Sequence, residues 1–392
     1  MINKIKKLKI LIAIERLLGR KIIMFSFSSK GQVQFFKPII DEIKKRNLNY
    51  SLFFSSDTDV SIDTEYLKKY GISLNRYCLT KDVINLKNID MFIETNIYAR
   101  GPESSKKVFI GHGQPNKVTK WSPDNLKSFE YYFLYGQLEK EMFEVIKLDQ
   151  PEATKHIKLI EVGYPKLDKQ INNEYHKETV FNELGFQSNR KTIIYAPAWD
   201  PGCSLRIYKS LIVDKILEIP NINLIVKLHP TNLEPANSIH YNFYTGGVDW
   251  RTVFAAYSHL PNFKFIEDWE VNKYLFISDL MVTDFSGVAL EYILLDRPTV
   301  NIDCPEFYNK TLVEWNCDPE ISKNDERFNA GRNAGVIVEN LDEMKDKITF
   351  LLENPTYNSE KRNKLAQKFL YNPGRGAKVS VDYIIEILDG KL

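Results

Sequence analysis

Short apolar runs alternate with longer stretches of helical spacing through the first half of the chain. Residues 21–27 (KIIMFSF) predict a strand, and residues 32–46 place apolar side chains three and four positions apart, as a buried helix face requires. Further strands are predicted at 50–54, 89–94, 107–110, 131–134 and 158–162. Strands interleaved with helices predict a parallel sheet covered on both faces.

A second series of the same kind begins after residue 190. Its strands are predicted at 192–196, 223–228, 263–266, 280–283 and 299–302, and its helices at 209–217, 271–278, 287–295, 341–352 and 377–388. The polar stretch 166–190 predicts the boundary between the two series, and the irregular segment 232–253 predicts a surface excursion. The fold class is therefore α/β with two Rossmann-like domains.

The segment Met1–Arg20 has a different character. Apolar positions there are surrounded by six basic residues: Lys4, Lys6, Lys7, Lys9, Arg16 and Arg20. This pattern predicts a basic amphipathic helix. Such a helix either contacts anionic lipid or packs on the first domain with solvated lysines, and the sequence leaves both interpretations open.

Composition narrows the class of protein. The chain has 392 residues, a net charge of +2, 43% hydrophobic and 27% charged residues, which is typical of a globular protein and gives no global electrostatic case for nucleic-acid binding. Four cysteines without CxxC spacing indicate a cytoplasmic protein that needs no disulfides. Membrane contact is expected only at the periphery, on the inner face, because no apolar run reaches the length of a span.

The first candidate for chemistry is GHGQPNK at 111–117, after a predicted strand. Gly111 and Gly113 allow a ligand to approach the backbone closely and leave the imidazole of His112 accessible. A histidine at this place can remove a proton from an attacking hydroxyl near neutral pH. The alternative is a structural histidine in a turn.

Two further segments also follow predicted strands. In KLHP at 227–230, His229 is expected to offer a ring N–H to a phosphate oxygen, or else to cap the strand end. In residues 278–287, Thr283 and Ser286 supply hydroxyls before a helix whose N-terminus suits a diphosphate. N-capping by Asp284 or Ser286 is compatible with that interpretation.

The remaining segments carry weaker signals. Residues 163–168 (GYPKLD) predict a hinge turn, and residues 196–202 (APAWDPG) predict one wall of a nucleotide pocket, although a plain turn explains either segment alone. No GxGxxG, P-loop or GxSxG pattern occurs, which disfavours NAD, ATP and α/β-hydrolase chemistry. The histidines show no metal-ligand spacing, so no metal site is predicted.

Taken in order, these segments resemble the CDP-glycerol glycerophosphotransferase family. GHGQPNK resembles its histidine motif, with Gln114 and Asn116 at positions where Thr and Leu are usual. The other matching segments are EVGYPKLD at 161–168, YAPAWD at 195–200, KLHP at 227–230 and SDLMVTDFSGVALEYILLDRPTV at 278–300. The resemblance covers about residues 90–390, and only the ordered set is specific. The run at 374–379 (GRGAKV) departs from the family pattern, which leaves the transferred group open.

This resemblance implies a GT-B fold, with two parallel sheets facing a central cleft. It implies an acceptor domain at 21–170, a nucleotide-donor domain at 171–376 and a C-terminal helix at 377–392. His112 becomes the base, and His229 is the second catalytic residue. The donor-side candidates are Thr283, Asp284, Ser286, Gly287, Pro197, Trp199 and Arg375. The acceptor-side candidates are Gly111, Gly113, Lys117, Ser29 and Lys30.

The implied reaction moves glycerol phosphate, or a related polyol phosphate, from a CDP-activated donor to a hydroxyl of a cell-surface glycan or lipid-linked acceptor, and releases CMP. No cofactor is implied beyond the donor substrate. Three alternatives stay open: a GT-B glycosyltransferase that uses a nucleotide sugar, an enzyme like the nucleotide-sugar 2-epimerases, and a non-enzymatic protein of the membrane surface.

Overall fold

Two parallel sheets organise the chain. The computed structural model describes residues 4–56, 64–97, 101–113, 121–315 and 317–392. These residues form two compact units: the first takes in the described residues of 1–114, 119–168 and 370–392, and the second those of 169–369. Both sheets are wholly parallel, as the interleaved strands and helices predict.

The first unit is built on seven strands in the order β3-β2-β1-β4-β5-β6-β7. The strands are β1 Lys21–Phe27, β2 Tyr50–Ser56, β3 Tyr77–Leu79, β4 Met91–Glu94, β5 Lys106–Phe109, β6 Tyr131–Leu134 and β7 Lys158–Glu161. The helices are α1 Lys4–Leu17, α2 Val33–Lys45, α3 Thr64–Lys69, α4 Thr80–Val83, α5 Pro123–Leu126, α6 Gln137–Asp149 and α7 Pro151–Thr154. Because the strand order reverses at β1 and β4, loops that follow these strands flank the switch point where ligands bind in such sheets.

The second unit has six strands in the order β10-β9-β8-β11-β12-β13. The strands are β8 Lys191–Tyr195, β9 Ile222–Val226, β10 Phe263–Phe265, β11 Leu280–Thr283, β12 Thr299–Ile302 and β13 Val336–Val338. The helices are α8 Asp168–Ile171, α9 Lys177–Leu184, α10 Ser204–Tyr208, α11 Leu211–Leu217, α12 Tyr241–Thr245, α13 Trp250–Ala255, α14 Asn272–Ile277, α15 Val288–Ile293, α16 Leu312–Glu314, α17 Pro319–Asn324, α18 Glu326–Ala334, α19 Met344–Glu353 and α20 Ser359–Phe369.

The last helix, α21 Gly376–Leu388, returns to the first unit. Val381, Ile384 and Ile387 are buried in the same apolar core as Phe36 and Ile39 of α2. Asp168 caps the start of α21, because its carboxylate accepts hydrogen bonds from the backbone N–H groups of the first two helix residues. The C-terminal helix is therefore part of the first unit, which the beginning of the chain forms.

Helix α1 is anchored to the first unit along one face. Leu8 and Ile12 are buried, and the carboxylate of Glu15 accepts hydrogen bonds from Arg20 and Arg76. Ile10 and Ile14 are each 47% exposed and Leu17 is 88% exposed, so a second apolar stripe faces outward. No described helix is long and apolar enough to cross a membrane.

Candidate active site

In the first unit, His112 is held by the loop that follows the neighbouring strand. β4 and β5 pair in parallel, so the residues after their carboxyl ends lie side by side. Thr95 follows β4 directly, and Nδ1 of His112 lies 2.6 Å from the Thr95 carbonyl oxygen. Because a carbonyl oxygen only accepts, Nδ1 carries the proton and the lone pair of the neutral ring lies on Nε2.

The surroundings of His112 keep its ring neutral. Loss of hydration around the ring lowers the pKa of His112, and the hydrogen bond with the Thr95 carbonyl opposes this effect only in part. The residue nevertheless keeps an exposed surface, so a substrate hydroxyl can reach it. A neutral imidazole with a defined, accessible lone pair has the properties of a general base.

Gly111 gives the loop its path. Its φ is +66°, which favours glycine, and a Cβ there would lie 3.2 Å from the hydroxyl of Tyr135. That hydroxyl donates to the carbonyl oxygen of Ile110, which fixes the strand end before the turn. Phe35 packs edge-on to the His112 ring, with 6.5 Å between centroids. Gly111 is thus required by the turn itself, whereas its expected close approach to a ligand stays a prediction.

Behind Thr95 lies a buried glutamine, Gln32, which no motif in the sequence marks. Oε1 of Gln32 accepts from the Ser28 N–H at 2.6 Å, and from the hydroxyls of Ser28 and Thr95, each at 2.9 Å. The backbone N–H can only donate, so the orientation of the Gln32 amide is determined. Gln32 thus joins the turn after β1 to the residue that holds His112.

The other acceptor-side candidates are placed less completely. Ser29 is half-buried in the turn after β1, and its carbonyl oxygen accepts from the Gln32 N–H at 3.0 Å. Gly113 follows His112 with a φ of +136°. The side chain of Lys30 and the whole of Lys117 lie outside the described residues, so their predicted roles stay predictions.

In the second unit, His229 has the opposite proton arrangement. It follows β9, and its Nδ1 accepts from the backbone N–H of Thr231 at 3.3 Å and lies 2.7 Å from the Thr231 hydroxyl. Since a backbone N–H can only donate, the proton of the neutral ring is on Nε2. The residue is exposed, and an Nε2–H group is a donor suited to a phosphate oxygen.

Trp199 lies beside His229 within an aromatic cluster, with 6.2 Å between the two ring centroids. Phe243 and Tyr244 pack against Trp199 at 6.1 and 5.4 Å, and one terminal nitrogen of Arg206 donates to the carbonyl oxygens of Trp199 and Phe243. The segment 232–253 is more regular than predicted, because it contains α12 Tyr241–Thr245 and most of α13 Trp250–Ala255, and it supplies part of the cluster.

Three donor-side candidates prove to be buried supports. Thr283 is fully buried, and its hydroxyl donates to the Ala196 carbonyl oxygen at 2.7 Å. The buried carboxylate of Asp284 accepts from the Ala198 N–H and from both the N–H and the hydroxyl of Ser204. Pro197 is buried as well. The Thr283 hydroxyl, which was expected to contact a diphosphate, is therefore used inside the fold, and with Asp284 it fixes the loop that carries Trp199.

Ser286 and Gly287 remain available to a ligand, since both are half-buried. The helix that follows is shorter than predicted: α15 runs only over Val288–Ile293, and the Ala289 N–H already donates to the Ser286 carbonyl oxygen at 3.1 Å. A six-residue helix has a small dipole, so the Ser286 hydroxyl and nearby side chains must supply most of the attraction for an anion.

Arg375 belongs to the first unit and not, as predicted, to the donor domain. It is exposed, directly precedes α21, and donates to the Asn372 side chain at 3.4 Å. The physical reason is that the chain returns to the first unit. The buried apolar face of α21 packs on α2, and Arg375, which directly precedes α21, therefore lies in that unit as well.

The sequence matches a known protein family over nearly its whole length. The profile described as CDP-Glycerol:Poly(glycerophosphate) glycerophosphotransferase matches residues 10–386. The chain belongs to this glycerophosphotransferase family. The predicted family resemblance is thereby confirmed, and the match extends further towards the N-terminus than the motifs that suggested it.

Curated relatives of this glycerophosphotransferase family member act on teichoic acids, according to their names. The teichoic acid poly(glycerol phosphate) polymerase of Bacillus spizizenii is 22% identical over 315 residues, which are 74% of this chain and 71% of the relative. The teichoic acid ribitol-phosphate polymerase TarL of Staphylococcus aureus is 25% identical over 233 residues, 56% of this chain. The matched region spans only 36% of TarL.

Solved structures of other proteins have the same fold as this chain. The wall teichoic acid polymerase TagF superposes with a TM-score of 0.62 at 16% identity, covering 99% of this chain and 94% of that chain. A UDP-N-acetylglucosamine 2-epimerase superposes with a TM-score of 0.57 at 12% identity, covering 95% and 97%. These neighbours confirm the predicted GT-B-like class of two Rossmann-like sheets.

Proposed function

We propose that this family member transfers glycerol phosphate, or a related polyol phosphate, from a CDP-activated donor to a hydroxyl group of a glycan or lipid-linked acceptor. The first unit acts on the acceptor through His112, and the second unit holds the donor through His229, Trp199, Ser286 and Gly287. The observation that carries this proposal is the pair of opposite histidine tautomers, because each places on Nε2 the group that its role needs.

The chemistry is a phosphoryl transfer. Nε2 of His112 accepts the proton of the acceptor hydroxyl, and the oxygen attacks the β-phosphorus of the donor. The bond between that phosphorus and the bridging oxygen breaks, and CMP leaves with the electron pair. Negative charge on the phosphate oxygens is stabilised by the Nε2–H of His229 and the Ser286 hydroxyl. The step as written uses no cofactor.

The outward face of α1 supports peripheral contact with an anionic membrane. Ile10, Ile14 and Leu17 follow one another at spacings of four and three, so they share a face, and exposed lysines accompany them. A lipid-linked or growing polymer acceptor would be found at such a surface. We therefore infer that the protein acts in the cytoplasm, at the inner face of the membrane.

A donor panel tests the proposed function. The full chain is incubated with CDP-glycerol, CDP-ribitol and common nucleotide sugars, each with a saccharide-lipid acceptor, and the nucleotide product is identified. Release of CMP from a CDP-polyol is the expected result. Release of CDP or UDP from a nucleotide sugar would show glycosyl transfer instead, since the bond then broken is at carbon. Consumption of no donor would contradict both reactions.

A further inference from the structure

The Ser286–Gly287 turn shares a recess in the second unit with Arg332, for which no sequence pattern predicts a role. Ser286, Gly287, Asn329 and Arg332 all line this recess. Arg332 is the single basic residue among those that line it, every one of which is described. The recess also touches Asp284, but both carboxylate oxygens of Asp284 are occupied by Ala198 and Ser204.

The backbone brings Arg332 to this place by a break in α18. Asn329 has φ −126° and ψ 23°, which interrupts the helix, and its side chain accepts from the Tyr308 hydroxyl at 2.6 Å. Gly331 then packs directly on α15, because a Cβ at this glycine would lie 2.4 Å from the Cβ of Ala289. Arg332 is therefore fixed beside the beginning of α15.

The guanidinium of Arg332 is held in place but keeps donors for a ligand. Its side chain is only 11% exposed, and one terminal nitrogen donates to Asp303 at 2.7 Å. Asp303 is its one hydrogen-bond partner among the described residues, whereas a guanidinium has five N–H donors in a planar fork. A fixed, partly desolvated fork of this kind matches the oxygens of a phosphate group.

We propose that Arg332 binds the diphosphate of the nucleotide donor together with Ser286 and Gly287. The inference deepens the proposed function and rests on it, since it names the cation that the donor site requires. The short helix α15 cannot supply that charge by its dipole, and both oxygens of Asp284, the carboxylate in the recess, are held by donors of Ala198 and Ser204.

Ligand binding to the full chain tests the inference without any turnover. The probes are CDP and inorganic pyrophosphate, which carry the diphosphate, and cytidine, which does not; each is titrated by calorimetry or by ligand-observed NMR. Arg332→Gln is expected to weaken CDP and pyrophosphate by about 10-fold to 100-fold, as loss of charge-assisted hydrogen bonds implies, and to leave cytidine unchanged. Arg332→Lys keeps the charge without the fork and should fall between the two proteins.

Arg297→Gln is the matched control, because Arg297 is also a half-buried arginine of the second unit but donates to the main-chain carbonyls of Phe276 and Ser278. It should bind CDP as the unaltered protein does. Unchanged CDP affinity in Arg332→Gln, or an equal loss of CDP and cytidine, would overturn the inference alone. Should the unaltered protein bind neither CDP nor pyrophosphate, both the inference and the proposed function would be overturned. If Arg332→Gln unfolds, the lysine variant decides by the same criteria.

Discussion

The Nδ1 atom of His112 and the carbonyl oxygen of Thr95 lie 2.6 Å apart, although 17 positions separate the two residues in the chain. This single hydrogen bond fixes the ring tautomer and leaves Nε2 as the basic atom. In His229 the backbone N–H of Thr231 fixes the other tautomer. The loops after two strands, one in each sheet, thus make Nε2 of His112 an acceptor and Nε2 of His229 a donor.

Removal of either histidine tests this division of roles. We expect His112→Ala and His229→Ala each to lower turnover by at least ~10²-fold, which is the usual contribution of general acid–base and charge-stabilising groups. His229→Ala should also raise the KM for the donor, whereas His112→Ala should not. Steady-state kinetics give both constants, and circular dichroism checks folding. Near-normal turnover in both variants would remove the mechanism, and His259→Ala, at an exposed histidine, is the control.

The rate should depend on pH through His112. Desolvation lowers the pKa of this ring from its ordinary value of 6.5, so its neutral, active form persists at lower pH than for a histidine in water. As the pH falls through this lowered pKa, the base becomes protonated and kcat/KM decreases; above it, kcat/KM is flat. The measurement is a pH profile at low acceptor concentration, together with an NMR titration of His112. An inflection above pH 6.5 would contradict the expectation.

Gln32 should control the His112 tautomer through Thr95. Gln32→Leu removes the oxygen that three donors share, so the Thr95 hydroxyl keeps only the Ser26 carbonyl oxygen as its acceptor. Turnover should then fall by up to about a hundredfold from misplacement of the base. Gln32→Glu keeps the accepting oxygen and should retain the arrangement. Long-range ¹H–¹⁵N spectra of the free protein report which ring nitrogen carries the proton. An unchanged Nδ1–H tautomer in Gln32→Leu would contradict this role, whatever the activity.

The buried carboxylate of Asp284 should stabilise the loop that carries Trp199. Asp284→Ala leaves three buried donors, from Ala198 and Ser204, without their acceptor, and each such loss costs about 1–3 kcal/mol. We expect a decrease of about 3 kcal/mol or more in the free energy of unfolding, measured in urea. Asp249→Asn is the control, because Asp249 is an exposed N-cap and asparagine caps as well. Equal stability of the two variants would refute the role of Asp284.

The exposed stripe of α1 should bind anionic vesicles. Replacement of Ile14 and Leu17 by serine removes outward-facing apolar surface, so co-sedimentation with vesicles rich in anionic lipid should weaken while the melting temperature changes little. The control is Leu148→Ser, at a leucine of α6 that is 84% exposed. Equal sedimentation of all three proteins would argue that α1 is only a packed surface helix.

The sequence by itself determined most of the parallel strands of both units and the loops that follow them. It did not predict β3 Tyr77–Leu79 and β13 Val336–Val338, because runs of three residues are too short to show a pattern. Lys21–Phe27, Tyr131–Leu134 and Leu280–Thr283 run over the predicted residues, because a buried parallel strand is a local apolar run and its pattern does not depend on distant partners. The histidines were found for the same reason, since each lies in the short loop after such a strand.

Only the tertiary structure decided what surrounds these histidines. Thr95, Gln32 and Arg332 carry no motif, and their roles arise from neighbouring strands or packed helices whose pairing no local pattern records. Burial likewise separated Thr283 and Asp284, which support the loop, from Ser286, which stays accessible, although all three belong to one motif. The apolar face of α21 predicted a helix, but the core that receives it lies in the unit formed by the beginning of the chain. Contacts between residues far apart in sequence depend on the whole packing, and so only the folded chain specifies them.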